Sequence, residues 1–370
     1  VPTIETSQIL KALSEVIDPD LGKDIVTLGF VGPDDITIDG AVVKATVYLT
    51  TPACPVKDLM KSKCVELIEA LPGVETAEVT MDARTVAAQP KADDQSRLKG
   101  VKNILAVGSG KGGVGKSTVA ANLAYALRQA GATVGILDAD IYGPSLPILL
   151  GLKGEAPTMS AEQKINPIEK YGMKAISMGF LLKESDAVVW RGPMLGKALQ
   201  QFIDDVDWGE LDYLVIDLPP GTGDVQLSLS QLIGVDGAVI VTTPQDVAFA
   251  DVRRAIRMFQ MTKVPLLGLV ENMSYFHCPD NDKTYHIFGE GRTASHAEEH
   301  RLDFLGQLPI DPQIGPAADK GELIAIADPS GLQASKYADL AGKVAAALAK
   351  RAVAKEKKEK LKGFFKVSAN

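Results

Sequence analysis

Apolar positions along the chain follow two periods, and they divide it into two α/β textures. Residues 6 to 17 place Ile9, Leu10, Leu13, Val16 and Ile17 at helical spacing. Asp24 to Val31 and Ala41 to Thr50 read as strands, with a turn near Asp39-Gly40 between them. Residues 55 to 71 form a second amphipathic helix, and Val74 to Met81 a last short strand. Ala87 to Ser96 is polar, contains Pro90 and has no period, which marks a linker. Beyond it the runs become short and wholly apolar. Asn103 to Val107 is a strand leading into a glycine-rich loop, and residues 116 to 131 are a helix ended by Gly131. Thr133 to Leu137, Leu211 to Ile216, Gly237 to Val241 and Pro265 to Val270 repeat the strand theme between helices. Strands without alternation are buried on both faces, so this part is an α/β fold with a doubly wound, mostly parallel sheet. The expected layout is a small α/β domain over 1–86, a linker over 87–100, a large domain over 101–349 and a tail over 350–370. Ligands of such sheets sit beyond the C-terminal strand ends.

Composition narrows the partners. The chain has 370 residues, 46% hydrophobic and 23% charged, an ordinary globular balance. No apolar run approaches the ~20 residues of a membrane span. The N-terminal residues lack the basic-then-apolar pattern of a signal peptide. A cytoplasmic protein is expected, or an organellar one if a leader has been removed before Val1. The net charge of −8 argues against nucleic acid as a partner. It is uneven, since residues 350 to 366 hold eight Lys/Arg and two Glu. Three cysteines, Cys54, Cys64 and Cys278, suit a reducing compartment better than a disulfide framework.

The chemistry concentrates in Gly110-Lys111-Gly112-Gly113-Val114-Gly115-Lys116-Ser117-Thr118. Glycines let the backbone curl until successive N–H groups face phosphate oxygens, helped by the helix N-terminus that follows. Lys116 is expected to reach the β- and γ-phosphates of ATP, and the Ser117 hydroxyl to bind Mg²⁺. A bare glycine turn would not need a strand before it and a helix after it. Asp138 and Asp140 close the next strand, and Asp217 to Asp224 closes a later one. Singly, each aspartate suits a helix cap. Three at strand ends beside a phosphate loop suit a Mg²⁺ shell and an oriented attacking water.

These segments, with Trp190-Arg191-Gly192-Pro193-Met194 and Val270-Glu271-Asn272-Met273-Ser274, resemble the Mrp family of P-loop ATPases. That family is related to the deviant-Walker class of MinD and the nitrogenase iron protein, and the likeness spans roughly residues 97 to 345. Asp18-Pro19-Asp20 and Thr50-Thr51-Pro52-Ala53-Cys54-Pro55 make the first domain similar to SufT-like iron–sulfur assembly domains. This domain order is typical of bacterial Mrp proteins and of a plastid relative. The resemblance implies a nucleotide-sandwich homodimer in which Lys111 reaches the nucleotide of the opposite subunit. It implies that Asp140 positions water, that Asp138 and Asp217 serve the Mg²⁺ shell, and that Asn272 contacts adenine near Pro309-Ile310-Asp311-Pro312. It further implies slow ATP hydrolysis coupled to a change of shape, and an iron–sulfur cluster carried to apo iron–sulfur proteins.

One position departs from the family. Where many members have Cys-x-x-Cys, this chain reads Cys278-Pro279-Asp280-Asn281. A cubane cluster takes four thiolates, and two copies of Cys278 supply two. Cys54 of each subunit could complete the set, His277 or His286 could support a smaller cluster, or the cluster role could be lost. Cys54 precedes a helix, where a thiolate is favoured; the alternative is a buried inert thiol. Cys64 reads as a core residue. His296 and His300 stand i,i+4 and could share a metal, but a solvated helix face accounts for them. The basic tail with Phe364-Phe365 could touch an anionic membrane, although a frayed end is the simpler expectation. The alternatives to the carrier are a MinD/ParA-like positioning ATPase and an adaptor that binds ATP without using it.

Overall fold

A computed structural model describes residues 4–19, 21–54, 56–85, 87, 98, 100–140, 143–180, 200–222 and 234–367, with the backbone alone for Val247 and residues 355–367. Trp190 to Met194, Ile141, Tyr142, Asp224 and most of the linker lie outside the described residues. The chain divides into two compact units, residues 1–86 with 345–370, and residues 87–344.

In the first unit, helix α1 (Thr6–Leu13) precedes strands β1 (Ile36–Asp39) and β2 (Val42–Leu49), helix α2 (Lys57–Glu69) and strand β3 (Thr76–Ala83). The sheet order is β1-β2-β3, with β1 antiparallel and β3 parallel to β2. Residues on β2 and β3 alternate between buried and exposed, so one face carries the core. Ile9, Leu13, Val43, Val47, Cys64, Ile68 and Val79 meet there. The strand expected over Asp24 to Val31 is instead a chain of turns. The Asp24 carboxylate accepts from the Thr27 amide at 2.7 Å, and the Asp24 carbonyl accepts from Leu28 at 3.0 Å. Ile25, Phe30 and Val31 are buried without strand pairing, so an apolar run here records burial and not extension. The partner strand comes later, at β1.

The second unit is built on an eight-stranded sheet. Its principal described elements in chain order are β4 (Val101–Ser109), α3 (Lys116–Gln129), β5 (Val134–Asp138), β6 (Ile168–Lys170), β7 (Met173–Ser177), β8 (Leu211–Asp217), β9 (Gly237–Thr242), α4 (Asp246–Met261), β10 (Leu266–Glu271), β11 (Phe276–Cys278), β12 (Lys283–Tyr285), α5 (Thr293–Glu299) and β13 (Asp303–Gln307); helix α6 (Leu332–Val367) begins in this unit, and its residues from 345 onward belong to the first. The sheet order is β6-β7-β5-β8-β4-β9-β10-β13. All neighbours are parallel except β6 and β7. Strands β5 and β9 are buried along their whole length, as parallel strands under helices must be. Because β4 lies centrally and feeds the glycine loop, that loop sits where strand ends converge. The pair β11 and β12 forms a separate antiparallel hairpin after β10.

Helix α6 continues through residue 350 to Val367, where a frayed tail is expected from the charge. Its Ala- and Lys-rich sequence has high helix propensity, and i,i+4 Glu–Lys spacing supports it.

Phe259 on α4 is fully buried, and a Cβ placed on Gly108 would lie 3.1 Å from its ring. The ring therefore seats the helix on the last turn of β4 before the loop. Phe259→Ala should lower unfolding stability by about 3–5 kcal/mol in urea titrations, the range for an emptied aromatic core site.

Candidate functional site

The glycine loop joins the central strand to α3, which begins at Lys116 with no side-chain cap at its N-terminus. Its first N–H groups are therefore open to an anion. Lys111, Gly112, Gly113, Gly115, Lys116, Ser117 and Thr118 line an open cleft of about 540 Å³ with Asp140 and Ser145. Gly110 and Val114 back the loop, and Val114 is buried. Gly115 adopts φ 79°, and a Cβ there would come within 2.3 Å of the Asn272 amide nitrogen. Both the turn and the contact therefore demand glycine.

Three charged side chains meet beneath the loop. Lys116 is 6% exposed, and its Nζ lies 2.5 Å from Asp217 Oδ1 and 3.1 Å from Ser117 Oγ. Asp217 Oδ2 is buried without a hydrogen-bond partner among the described residues. An orphaned carboxylate oxygen beside a hydroxyl fits a divalent cation or its bound water. Burial holds Asp217 above the usual carboxylate range, against the pull of Lys116.

Asp138 is the Cα partner of Asp217 on the adjacent strand. It is fully buried, and its carboxylate accepts from Asp140 N at 3.0 Å, Leu146 N at 3.1 Å and Ser177 Oγ at 3.0 Å. A Mg²⁺ role is expected for it. Its oxygens accept from the turn that carries Asp140 and from Ser177. Burial and the charge of Asp217 push its carboxyl up to about 7. Asp140 is 8% exposed at the cleft wall and accepts from Gly143 N at 3.3 Å.

Asn272 follows β10. Its amide donates to the Val114 carbonyl at 2.9 Å, so the loop itself is its partner here. Glu271 stands beside it, within the Val270-Glu271-Asn272-Met273-Ser274 segment, with no role expected from the sequence. It is buried and accepts from Ser274, Thr293 and Gln307. Its signal was a carboxylate at the end of a wholly apolar strand.

The thiols lie apart from the phosphate loop in sequence and differ in setting. Cys278 ends β11 and is half-buried. The second position of the usual cysteine pair, Asn281, makes the hairpin turn: its Oδ1 accepts from Lys283 N at 3.0 Å and its Nδ2 donates to Tyr285 at 3.0 Å. His277 pairs with Asp282 at 3.0 Å. In the first unit, half-buried Cys54 shares a small cavity with Asp18 and Thr51. Cys64 is fully buried in the core, where desolvation pushes its thiol up to about 11. No disulfide links the cysteines, and no group of three His, Cys, Asp or Glu side chains suited to a metal occurs among the described residues. His296 stacks on Phe249 at 3.6 Å between ring centroids, which makes it a packing residue.

A glycine loop on the central strand of a parallel sheet, with its lysine and strand-end aspartates, defines a P-loop NTPase. Residues 100–345 match the family described as NUBPL iron-transfer P-loop NTPase, and residues 6–80 match the iron–sulfur cluster assembly protein family. An iron–sulfur cluster carrier protein of Deinococcus radiodurans is 49% identical over 88% of this chain and 91% of its own length. One from Synechocystis is 45% identical over 92% and 97%. A nucleotide-binding protein from Archaeoglobus fulgidus, solved in complex with ADP, is 43% identical, covers 61% of this chain and 89% of its own, and superposes with a TM-score of 0.56. The chain belongs to the NUBPL iron-transfer family of P-loop NTPases, the group of the iron–sulfur cluster carriers.

The elevated Asp138 carboxyl has a consequence for stability. Between the ordinary value of 3.8 and about 7, the folded chain keeps a proton that the unfolded chain has lost. Stability contributed by this group is therefore full at low pH and declines as pH rises through that window. Urea titrations of nucleotide-free protein should show the decline, and Asp138→Asn should flatten it.

Proposed function

We propose that this chain is an ATP-hydrolysing homodimer that carries an iron–sulfur cluster and delivers it to apo-proteins. The observation that carries this reading is the buried Lys116–Asp217 pair under an uncapped helix N-terminus, in a chain whose family consists of cluster carriers. In this reading Lys116 exchanges Asp217 for the β- and γ-phosphates. Ser117 and the freed Asp217 carboxylate would hold Mg²⁺, which would supply positive charge against the phosphates. Asp140 orients the water that attacks the γ-phosphorus, and the bond to the β-phosphate oxygen breaks to release ADP and phosphate. Asp138 fixes the turn that places Asp140.

Lys111 lines the same cleft and has no carboxylate partner among the described residues. It is suited to reach the nucleotide of the opposite subunit, which makes hydrolysis depend on dimerisation. The cluster is cargo. Cys278 of each subunit provides one thiolate, two in the dimer, and Asn281, engaged in the hairpin turn, provides none. Cys54 of each subunit supplies the remaining pair, which gives the assembly domain its part in the transfer. Recipients are apo iron–sulfur proteins in a reducing compartment, the cytoplasm or an organelle. No helix among the described residues is long and apolar enough to cross a membrane.

Lys111→Ala should leave ATP binding intact and slow hydrolysis by about a thousandfold, the scale for losing a cation supplied in trans. Phosphate-release assays across protein concentrations read both effects. Anaerobic reconstitution with iron and sulfide, followed by absorption and Mössbauer spectra, tests the cargo. Wild type should hold a cluster and pass it to an apo-protein, and Cys278→Ala should hold none. Failure of the wild type at either step sinks the carrier reading. Unchanged cluster binding in Cys54→Ala removes Cys54 from the ligand set.

A further inference from the structure

Cys278 lies six residues beyond Asn272, on a hairpin whose two flanks are tied to one carboxylate. Glu271 ends β10 and is 1% exposed. It accepts from Ser274 Oγ at 2.6 Å, from Gln307 Nε2 at 3.0 Å and from Thr293 Oγ1. Ser274 precedes the hairpin and Thr293 follows it, at the start of α5. Both are buried. The backbone reinforces the clasp, since Ser274 N donates to Leu308 O at 3.0 Å and Leu308 N to Glu271 O at 2.9 Å. Gly291 passes so near that a Cβ would stand 1.9 Å from Glu271 Oε2. No side chain but hydrogen fits there.

The neighbouring residue faces the phosphate loop. Asn272 donates to Val114 O at 2.9 Å, and its own N–H donates to Thr242 O at 2.8 Å. Successive side chains of an extended segment point to opposite sides. The end of β10 is thus gripped by the loop through Asn272 and grips the hairpin through Glu271. A buried carboxylate with neutral donors and no Lys or Arg partner among the described residues is costly to keep. A neutral amide would fill the same space with a smaller desolvation cost.

We propose that Glu271 is a positioning residue for the Cys278 thiol: it clasps both flanks of the hairpin and, through Asn272, makes the hairpin's attitude depend on whether the phosphate loop holds nucleotide. The inference rests on the reading that the loop binds ATP and that Cys278 handles the cluster. When the loop closes around phosphates, Val114 O shifts, the end of β10 follows, and the carboxylate transmits the shift to Ser274 and Thr293. Nucleotide occupancy then sets the exposure of Cys278, and so the moment at which cargo is held or released.

The test measures the alkylation rate of Cys278 by iodoacetamide in the full chain, with and without Mg·ATP, reading the Cys278 peptide by mass spectrometry. Wild type should change its rate by about fivefold or more between the two states, the lower end of coupling between linked sites. Thr293→Val removes one hydroxyl at constant shape and should bring the ratio close to one, while affinity for a fluorescent ATP analogue stays at the wild-type value. Thr293→Ser restores the hydroxyl and should restore the ratio. Ser274→Ala loosens the other flank and should act like Thr293→Val, which keeps the test open if either variant folds poorly. A wild-type ratio of one overturns the proposal, as does a wild-type ratio in both Thr293→Val and Ser274→Ala. A wild type that responds to ATP yet holds no cluster defeats the carrier reading and leaves the clasp standing. A cluster-competent wild type whose Cys278 ignores ATP defeats the clasp alone.

Discussion

Lys116 and Asp217 are held 2.5 Å apart and are both almost wholly withdrawn from water, and much of the second unit is arranged around that pair. Taking both charges out of water costs several kcal/mol per ion, which their attraction only partly offsets. Such a pair is therefore a poor source of stability and a good store of charge. Lys116 can exchange one anionic partner for another, which a phosphate site requires. Asp138 stands on the next strand at the same level, and its carboxyl avoids a second buried negative charge by holding its proton up to about pH 7.

The sheet makes this possible. Strands β4, β5 and β8 run side by side and are buried on both faces. A polar side chain within them would lack partners, so the charges gather at the strand ends, where loops supply N–H donors. The turn after β5 and Ser177 together supply three donors to Asp138, and the loop after β4 leads into a helix with no side-chain cap at its N-terminus. The same logic reaches β10, where Glu271 and Asn272 end an apolar strand and meet the hairpin and the loop. Asn281 closes that hairpin through its side chain, which explains how the segment keeps its shape without a second thiolate.

The phosphate loop, the parallel strands and the strand-end aspartates were legible in the residues because their signals are local. Glycine spacing, uninterrupted Val/Ile/Leu runs and the step from strand to helix each fit in a short window. Asp24 to Val31 misled because buried turns and short strands share the same apolar composition. Glu271 stayed without a role because two of its partners, Thr293 and Gln307, come from distant elements, α5 and β13. The amide of Asn272 donates to a carbonyl 158 positions away in the chain, a partner that no local pattern shows.

What the chain determined by itself is the class of chemistry: a nucleotide loop with two lysines, and carboxylates at strand ends. Those are properties of residue type and spacing, and they hold however the rest folds. The tertiary structure decided the assignments within that class. It brought two turn amides and Ser177 to Asp138, left one oxygen of Asp217 without a partner among the described residues, put Asn281 in a hairpin turn and brought the loop and the flanks of the Cys278 segment to two adjacent side chains. The reason is that each of these depends on which donors are left over once distant strands have been laid side by side, and a buried polar atom takes whichever partner packing brings within reach.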